Sequence, residues 1–258
     1  MSIHKKIGLA TFIALGLAAC GSGGSGGSDG PSAAATPNAD IRAAKAELAA
    51  VNAGEIGKTT FKVNDYTIKL GETTHKVADM QKGAVVDLQN GNENVRAYRQ
   101  AYSIVAGKFD VKNITGGSAE DSVETLKDPM TVGLINGEAT QTLPTTGKYT
   151  YNGAAFSNSE TGRLTYNVDF DKKVGSGAVT GLVQTGDIKL EEAAFKHNAW
   201  SNDLDGTSVR AHGIAGKVSK GTESVGDYSL NFFGQNAEEV AGVVYHNQVG
   251  NIGIAGQR

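Results

Sequence analysis

Residues 228–245 read YSLNFFGQNAEEVAGVVY, and this stretch decides the fold class. Tyr228, Leu230 and Phe232 alternate with Ser229, Asn231 and Phe233, the two-residue period of a strand with one buried face. Gly234, Gln235 and Asn236 supply turn residues, and Val240 to Tyr245 resumes an apolar, β-branched run. The pattern is a hairpin near the end of a closed antiparallel sheet. It carries no group suited to catalysis and reads as scaffold.

Outward from this hairpin the same rhythm continues. Eight candidate strands follow one another at regular intervals: Lys148–Phe156, then 163–171, 177–183, 187–195, 208–218, 227–233, 238–245 and 251–255. Leu164, Tyr166, Val168 and Phe170 show the alternation plainly, with Thr165, Asn167 and Asp169 facing the other way. Evenly spaced strands with turn signals between them predict an eight-stranded up-and-down barrel, which leaves no exposed edge. At eight strands the interior is narrow enough for side chains to fill it. The Thr, Asn, Asp and Lys residues on the other face argue against a lipid-facing barrel.

Residues 59–143 are β in character but less regular. Short runs around Phe61, Ile68, Val86, Ala97, Ile104, Phe109 and Val132 are divided by Asn, Gly and Asp clusters, and 116–128 reads as a polar, acidic loop. The only good helix candidate is 40–51, capped by Asp40, with Ile41, Ala44, Leu48 and Val51 at helical spacing. The fold expected is all-β: an irregular, barrel-like N-terminal domain over 40–145, with that short N-terminal helix, and a barrel over 146–258. Glycine numbers 35 of 258 residues, well above the usual ~7%, as a turn-rich β protein requires.

The first residues set the compartment. Lys5 and Lys6 precede an apolar segment over 7–19, followed by Leu17-Ala18-Ala19-Cys20 and Gly21. This resembles a bacterial lipobox, so 1–19 is expected to be a lipoprotein signal peptide and Cys20 the lipidated first residue of the mature chain. Loss of Lys5 and Lys6 takes the formal charge from −3 to −5. Residues 20–39 are then a Gly/Ser tether with a span on the order of 25 Å. Cys20 is the one cysteine, so no internal disulfide forms and the fold relies on its core. Two glycine patterns in the tether fit nucleotide-binding and hydrolase motifs, but neither follows a strand.

Chemistry is sparse. His75, His197, His212 and His246 lack metal-ligand spacing, and no Cys/His cluster exists. Glu191-Glu192 and Glu238-Glu239 are adjacent, so in strands they point to opposite faces and cannot act as a carboxylate dyad. No catalytic residue, metal or cofactor is expected, and no basic block suggests nucleic acid. One alternative keeps a ligand in view: His197 and Trp200, placed in a loop over 196–205, with His212, form a candidate site for haem, a siderophore or transferrin. A further alternative is a structural envelope lipoprotein.

After the tether the chain resembles the factor H binding protein family of Gram-negative surface lipoproteins. The resemblance rests on Val86-Asp87-Leu88-Gln89-Asn90-Gly91 with Tyr98-Arg99-Gln100, and on Gly137-Glu138-Ala139-Thr140, Leu143-Pro144, Gly147, Tyr151, Gly153 and Ala155-Phe156. It continues through Leu164-Thr165-Tyr166, Asp169-Phe170, Gly175, Gly177, Tyr228-Ser229-Leu230, Phe233-Gly234, Ala237, Glu239-Val240-Ala241-Gly242 and Ile252-Gly253. The closing motif is shared with transferrin-binding and haem-binding surface lipoproteins. The resemblance implies a monomer exported by an outer-membrane lipoprotein translocon, held to the outer membrane by lipid alone, that recruits host complement factor H. It places partner binding on the last barrel strands. Where the family's tight binders carry acidic side chains, this sequence has Ser224, with Glu223 beside it, and Tyr245.

Overall fold

The computed structural model describes residues 62–110 and 129–258. The signal, Cys20, the tether, the 40–51 helix and the 116–128 loop lie outside the described residues.

Eight strands close into an antiparallel barrel: β7 (Lys148–Phe156), β8 (Thr161–Asp169), β9 (Val174–Thr180), β10 (Ile188–Ser201), β11 (Ser208–Lys220), β12 (Glu223–Phe233), β13 (Glu239–His246) and β14 (Gly250–Gln257). Each strand pairs with its successor, and β14 returns to β7 from Gly253↔Phe156 to Gln257↔Asn152. The interior is filled by Tyr151, Tyr166, Tyr228, Phe170, Phe195 and Phe232, with Leu and Ile between them. At about 1.5–3 kcal/mol per large apolar side chain removed from water, this lining is the main favourable term for the barrel. The buried phenols are partnered: Tyr151 donates to Ala237 O (2.6 Å), Tyr228 donates to Glu191 O (2.8 Å), and the Tyr166 and Tyr228 hydroxyls meet at 3.0 Å.

The N-terminal part is two sheets. A hairpin of β1 (Thr67–Leu70) and β2 (Thr73–Lys76) is flanked by single 3-10 turns at Val63–Asp65 and Val77–Asp79. A four-stranded sheet runs in the order β3 (Val85–Asn90), β4 (Glu93–Arg99), β5 (Ser103–Asp110), β6 (Thr131–Gly137). One face of this sheet packs on the hairpin through Ile68, Leu70, Val95, Ala97, Ile104 and Leu134. The other packs on the outside of the barrel, where Tyr98, Val105 and Ile135 meet Phe156, Phe233, Ala241, Val243 and Ala255.

That second interface explains a contrast between strands. On β8 only the inward residues are buried, whereas β13 is buried on both faces from Glu239 to Val244. Polar clamps fix the contact. The Glu239 carboxylate accepts from Ala101 N (2.7 Å), Tyr102 N (3.0 Å) and Ser103 Oγ (2.8 Å) at the β4–β5 turn. Arg96 on β4 donates to Ser157 O, Glu160 O and Thr161 Oγ1 at the β7–β8 turn, and pairs with Asp87 (2.8 Å). The link from β6 to β7 runs across one barrel end: Thr140 Oγ1 donates to Gly234 O (2.8 Å), Leu143 joins the interior, and Lys173 Nζ donates to Pro144 O (3.0 Å).

Candidate functional site

The outer faces of β11, β12 and β13 carry a continuous row of side chains. Lys217 lies opposite Asp227, and Asp227 opposite Tyr245. The Lys217 ammonium and Asp227 carboxylate pair at 2.7 Å with both side chains largely exposed, so the pair is worth at most about 1 kcal/mol. Tyr245 is half-buried, and burial pushes its hydroxyl well above the usual phenol range. Glu223 and Ser224 sit at the exposed start of β12, opposite Lys220 and Ser219. The carboxylate directly beside Tyr245 is thus Asp227, which the sequence reading placed at the start of a strand but not among the binding residues.

Next to this row lies a groove of about 520 Å³ between the barrel wall and β6. β11 borders it through Ala215, Gly216 and Lys217. A side chain at Gly213 would run into Asn198 Nδ2 and Asn231 Oδ1. With glycine there, Asn198 of β10 reaches over β11 to Ser229 Oγ (3.2 Å), Leu230 O (3.1 Å) and Asn231 Oδ1 (2.8 Å) of β12. Val132 and Ile135 of β6 and Val243 supply apolar lining. Trp200 stands at the junction, its indole N–H donating to Ile135 O (2.9 Å) and Asn202 Oδ1 (3.1 Å). The groove brings together Trp200 and Tyr245, which the sequence reading had assigned to different sites.

His197 and Trp200 are not in a loop. Both belong to β10, which continues to Ser201, and Trp200 pairs with Val209 on β11. Their odd spacing sends them to opposite sides of the barrel wall: His197 shares the inward face of Phe195, whereas Trp200 packs in the cluster between barrel and sheet. The expected loop over 196–205 is therefore corrected to strand as far as Ser201; His197 pairs with His212 across β10 and β11, and both His197 and Trp200 border the groove. The physical reason is that Lys196–Asn198–Trp200 alternation is strand periodicity, disguised by polar and histidine residues.

His212 is paired directly with His197 across β10 and β11, their ring centroids 6.2 Å apart. It is fully buried, and its Nε2–H donates to Gln141 O (3.3 Å) on the segment crossing the barrel end. A carbonyl only accepts, so Nε2 carries the proton and Nδ1 is bare. Among the described residues Nδ1 has no partner. Burial, and secondarily the neighbouring His197, lowers the His212 pKa to about 4, against an opposing contribution from Gln141 O. His246 is also lowered, by burial and then by Lys220.

Glu191 accepts from Ser219 Oγ and pairs with Lys189 (2.6 Å), while Glu192 is exposed; Glu239 is committed to the inter-sheet clamp. Among the described residues no group of three or more His, Cys, Asp or Glu side chains could hold a metal ion. No helix of the described residues is long and apolar enough to cross a membrane.

These features, a filled barrel with a built outer groove, can be set against known proteins. Residues 141–244 match the family model for factor H binding protein, C-terminal. The match to factor H binding protein begins on the segment crossing the barrel end and runs into β13, and it bears out the resemblance read from the sequence. Solved structures with similar chains include the isotype 1 transferrin binding protein B of serogroup B Neisseria meningitidis. That pair has 15% identity and a TM-score of 0.47, covering 76% of this chain and 39% of the other. The N-lobe of lactoferrin binding protein B of Moraxella bovis has 12% identity and a TM-score of 0.33, covering 74% and 90% respectively. This chain spans about two fifths of the length of the transferrin-binding protein it matches.

Proposed function

We propose that the chain is a lipid-anchored protein of the outer-membrane surface that captures host complement factor H, and that it does so without catalysis. The match of residues 141–244 to factor H binding protein carries this reading. The physical organisation supports it: the barrel interior is occupied by packed side chains, so binding falls to the outer surface. Cys20 is the proposed attachment point for lipid, with export through an outer-membrane lipoprotein translocon.

The proposed contact surface runs from Glu223 and Ser224 along β12 to Asp227 and across to Tyr245. Complementary charge at an interface chiefly sets approach and register, and a desolvated pair contributes more to residence time. Asp227 is the proposed replacement for the acidic groups expected at Ser224 and Tyr245. Surface plasmon resonance of the immobilised mature chain against factor H from several hosts tests this. Binding to at least one host protein, weakened about tenfold or more by Asp227→Ala, is the expected result. No binding to factor H from any host contradicts it. Protease shaving of intact cells should remove the protein if it is surface-exposed and spare it if it is a periplasmic envelope component.

A further inference from the structure

We infer that the groove between β6 and β10–β13 is a glycan site for a pyranose that carries a carboxylate. The groove lies where two sheet systems meet, and its volume of about 520 Å³ falls within the range of small-ligand sites, roughly 300–1,000 Å³. Its walls combine three chemistries in one place. Trp200 and Tyr245 supply aromatic surface of the kind on which the C–H face of a sugar ring packs.

The second wall is the amide array. Asn198 spends its N–H donors on Ser229, Leu230 O and Asn231, which holds the three side chains in fixed orientation. Asn231 is 1% exposed and its amide donates to Ala241 O (3.5 Å), so the group this wall offers a ligand is the Asn198 carbonyl oxygen, an acceptor. An amide acceptor at this point suits a ring hydroxyl, which can donate to it. Preorganisation by the network lowers the ordering cost of binding.

The third feature is charge. Lys217 is neutralised by Asp227, but Lys196, which also lines the groove, has no ion-pair partner among the described residues. It projects outward from β10 between the inward Phe195 and His197, opposite Gly213. The groove therefore carries one ammonium in excess, which selects an acidic ring over a neutral one. Apolar lining from Val132, Ile135 and Val243 excludes a fully hydrated inorganic anion as the preferred occupant.

Trp200 is the chain's one tryptophan, so its emission reports on the groove without labelling. The test titrates the full mature chain with sialyllactose and, separately, with lactose. A saturable change in Trp200 emission is expected with sialyllactose, about tenfold weaker with lactose and in the Lys196→Gln variant. Lys196→Gln alters a strand surface and keeps the fold. Ala215→Phe fills the groove from β11 while leaving every amide in place, and it should abolish the response. The inference is overturned if sialyllactose gives no saturable change, if lactose binds equally well, or if Lys196→Gln leaves binding unaltered. Factor H is absent from the experiment, so its outcome is separate from that of the proposed function.

Discussion

A single buried histidine ties the barrel end to pH. His212 has its folded pKa lowered to about 4 from an ordinary value of 6.5. Between those values the unfolded chain binds a proton that the folded chain refuses, so stability rises with pH across the window. Stability is complete above about pH 6.5 and is lost as pH falls toward 4, by up to about 3 kcal/mol for a shift of this size. Urea melts at pH 7 and pH 4.5 should show this loss, and His212→Gln should remove most of it while keeping a group that can donate to Gln141 O. Glu239 gives a second prediction. Glu239→Ala strands donors from Ala101, Tyr102 and Ser103 and should cost about 2–3 kcal/mol, read as a lower urea midpoint at unchanged slope. Neither role was legible in the sequence. Glu239 sits in an adjacent acidic pair that looks like solvated surface, and its partners lie well over a hundred positions away along the chain.

At the scale of elements, strand identity followed hydrophobic period wherever one face met water. β7 has the expected bounds, Lys148–Phe156, and β8 shows the alternation of Leu164, Tyr166 and Val168. β2 escaped notice because Thr73–Lys76 buries none of its side chains, so it has no apolar signal and exists through its pairing with β1. β10 runs six residues past the expected end at 195, because Lys196 to Ser201 alternates polar groups with His197 and Trp200. The run in β13 is continuous for a different reason: its outward residues are covered by the four-stranded sheet. The groove was invisible at this scale, since β11 borders it through the small residues Ala215 and Gly216, which carry no signal of a site. Close approach of β12 and β13 makes a further prediction. A Cβ on Gly242 would collide with the carbonyl oxygen of Ser229 on the neighbouring strand, so Gly242→Ala should destabilise by about 2–3 kcal/mol. A thermal melt measures it, and an unchanged midpoint would show that the two strands separate freely.

For the whole molecule, the two β systems are joined by an apolar interface and by clamps at Arg96, Glu239 and Asn202. Such continuity of packing makes them unfold together, so calorimetry of the mature chain should show one transition with matching calorimetric and van't Hoff enthalpies. One side of the barrel is thereby spent on internal contact, and the row through Lys217, Asp227 and Tyr245 beside it is the proposed binding face. Hydrogen–deuterium exchange of the mature chain with and without factor H tests that division most directly. The account predicts new protection on β11, β12 and the Tyr245 end of β13, with the β1–β2 hairpin and β8 unchanged. Protection confined to the hairpin or β8, with none on β11–β13, would contradict it.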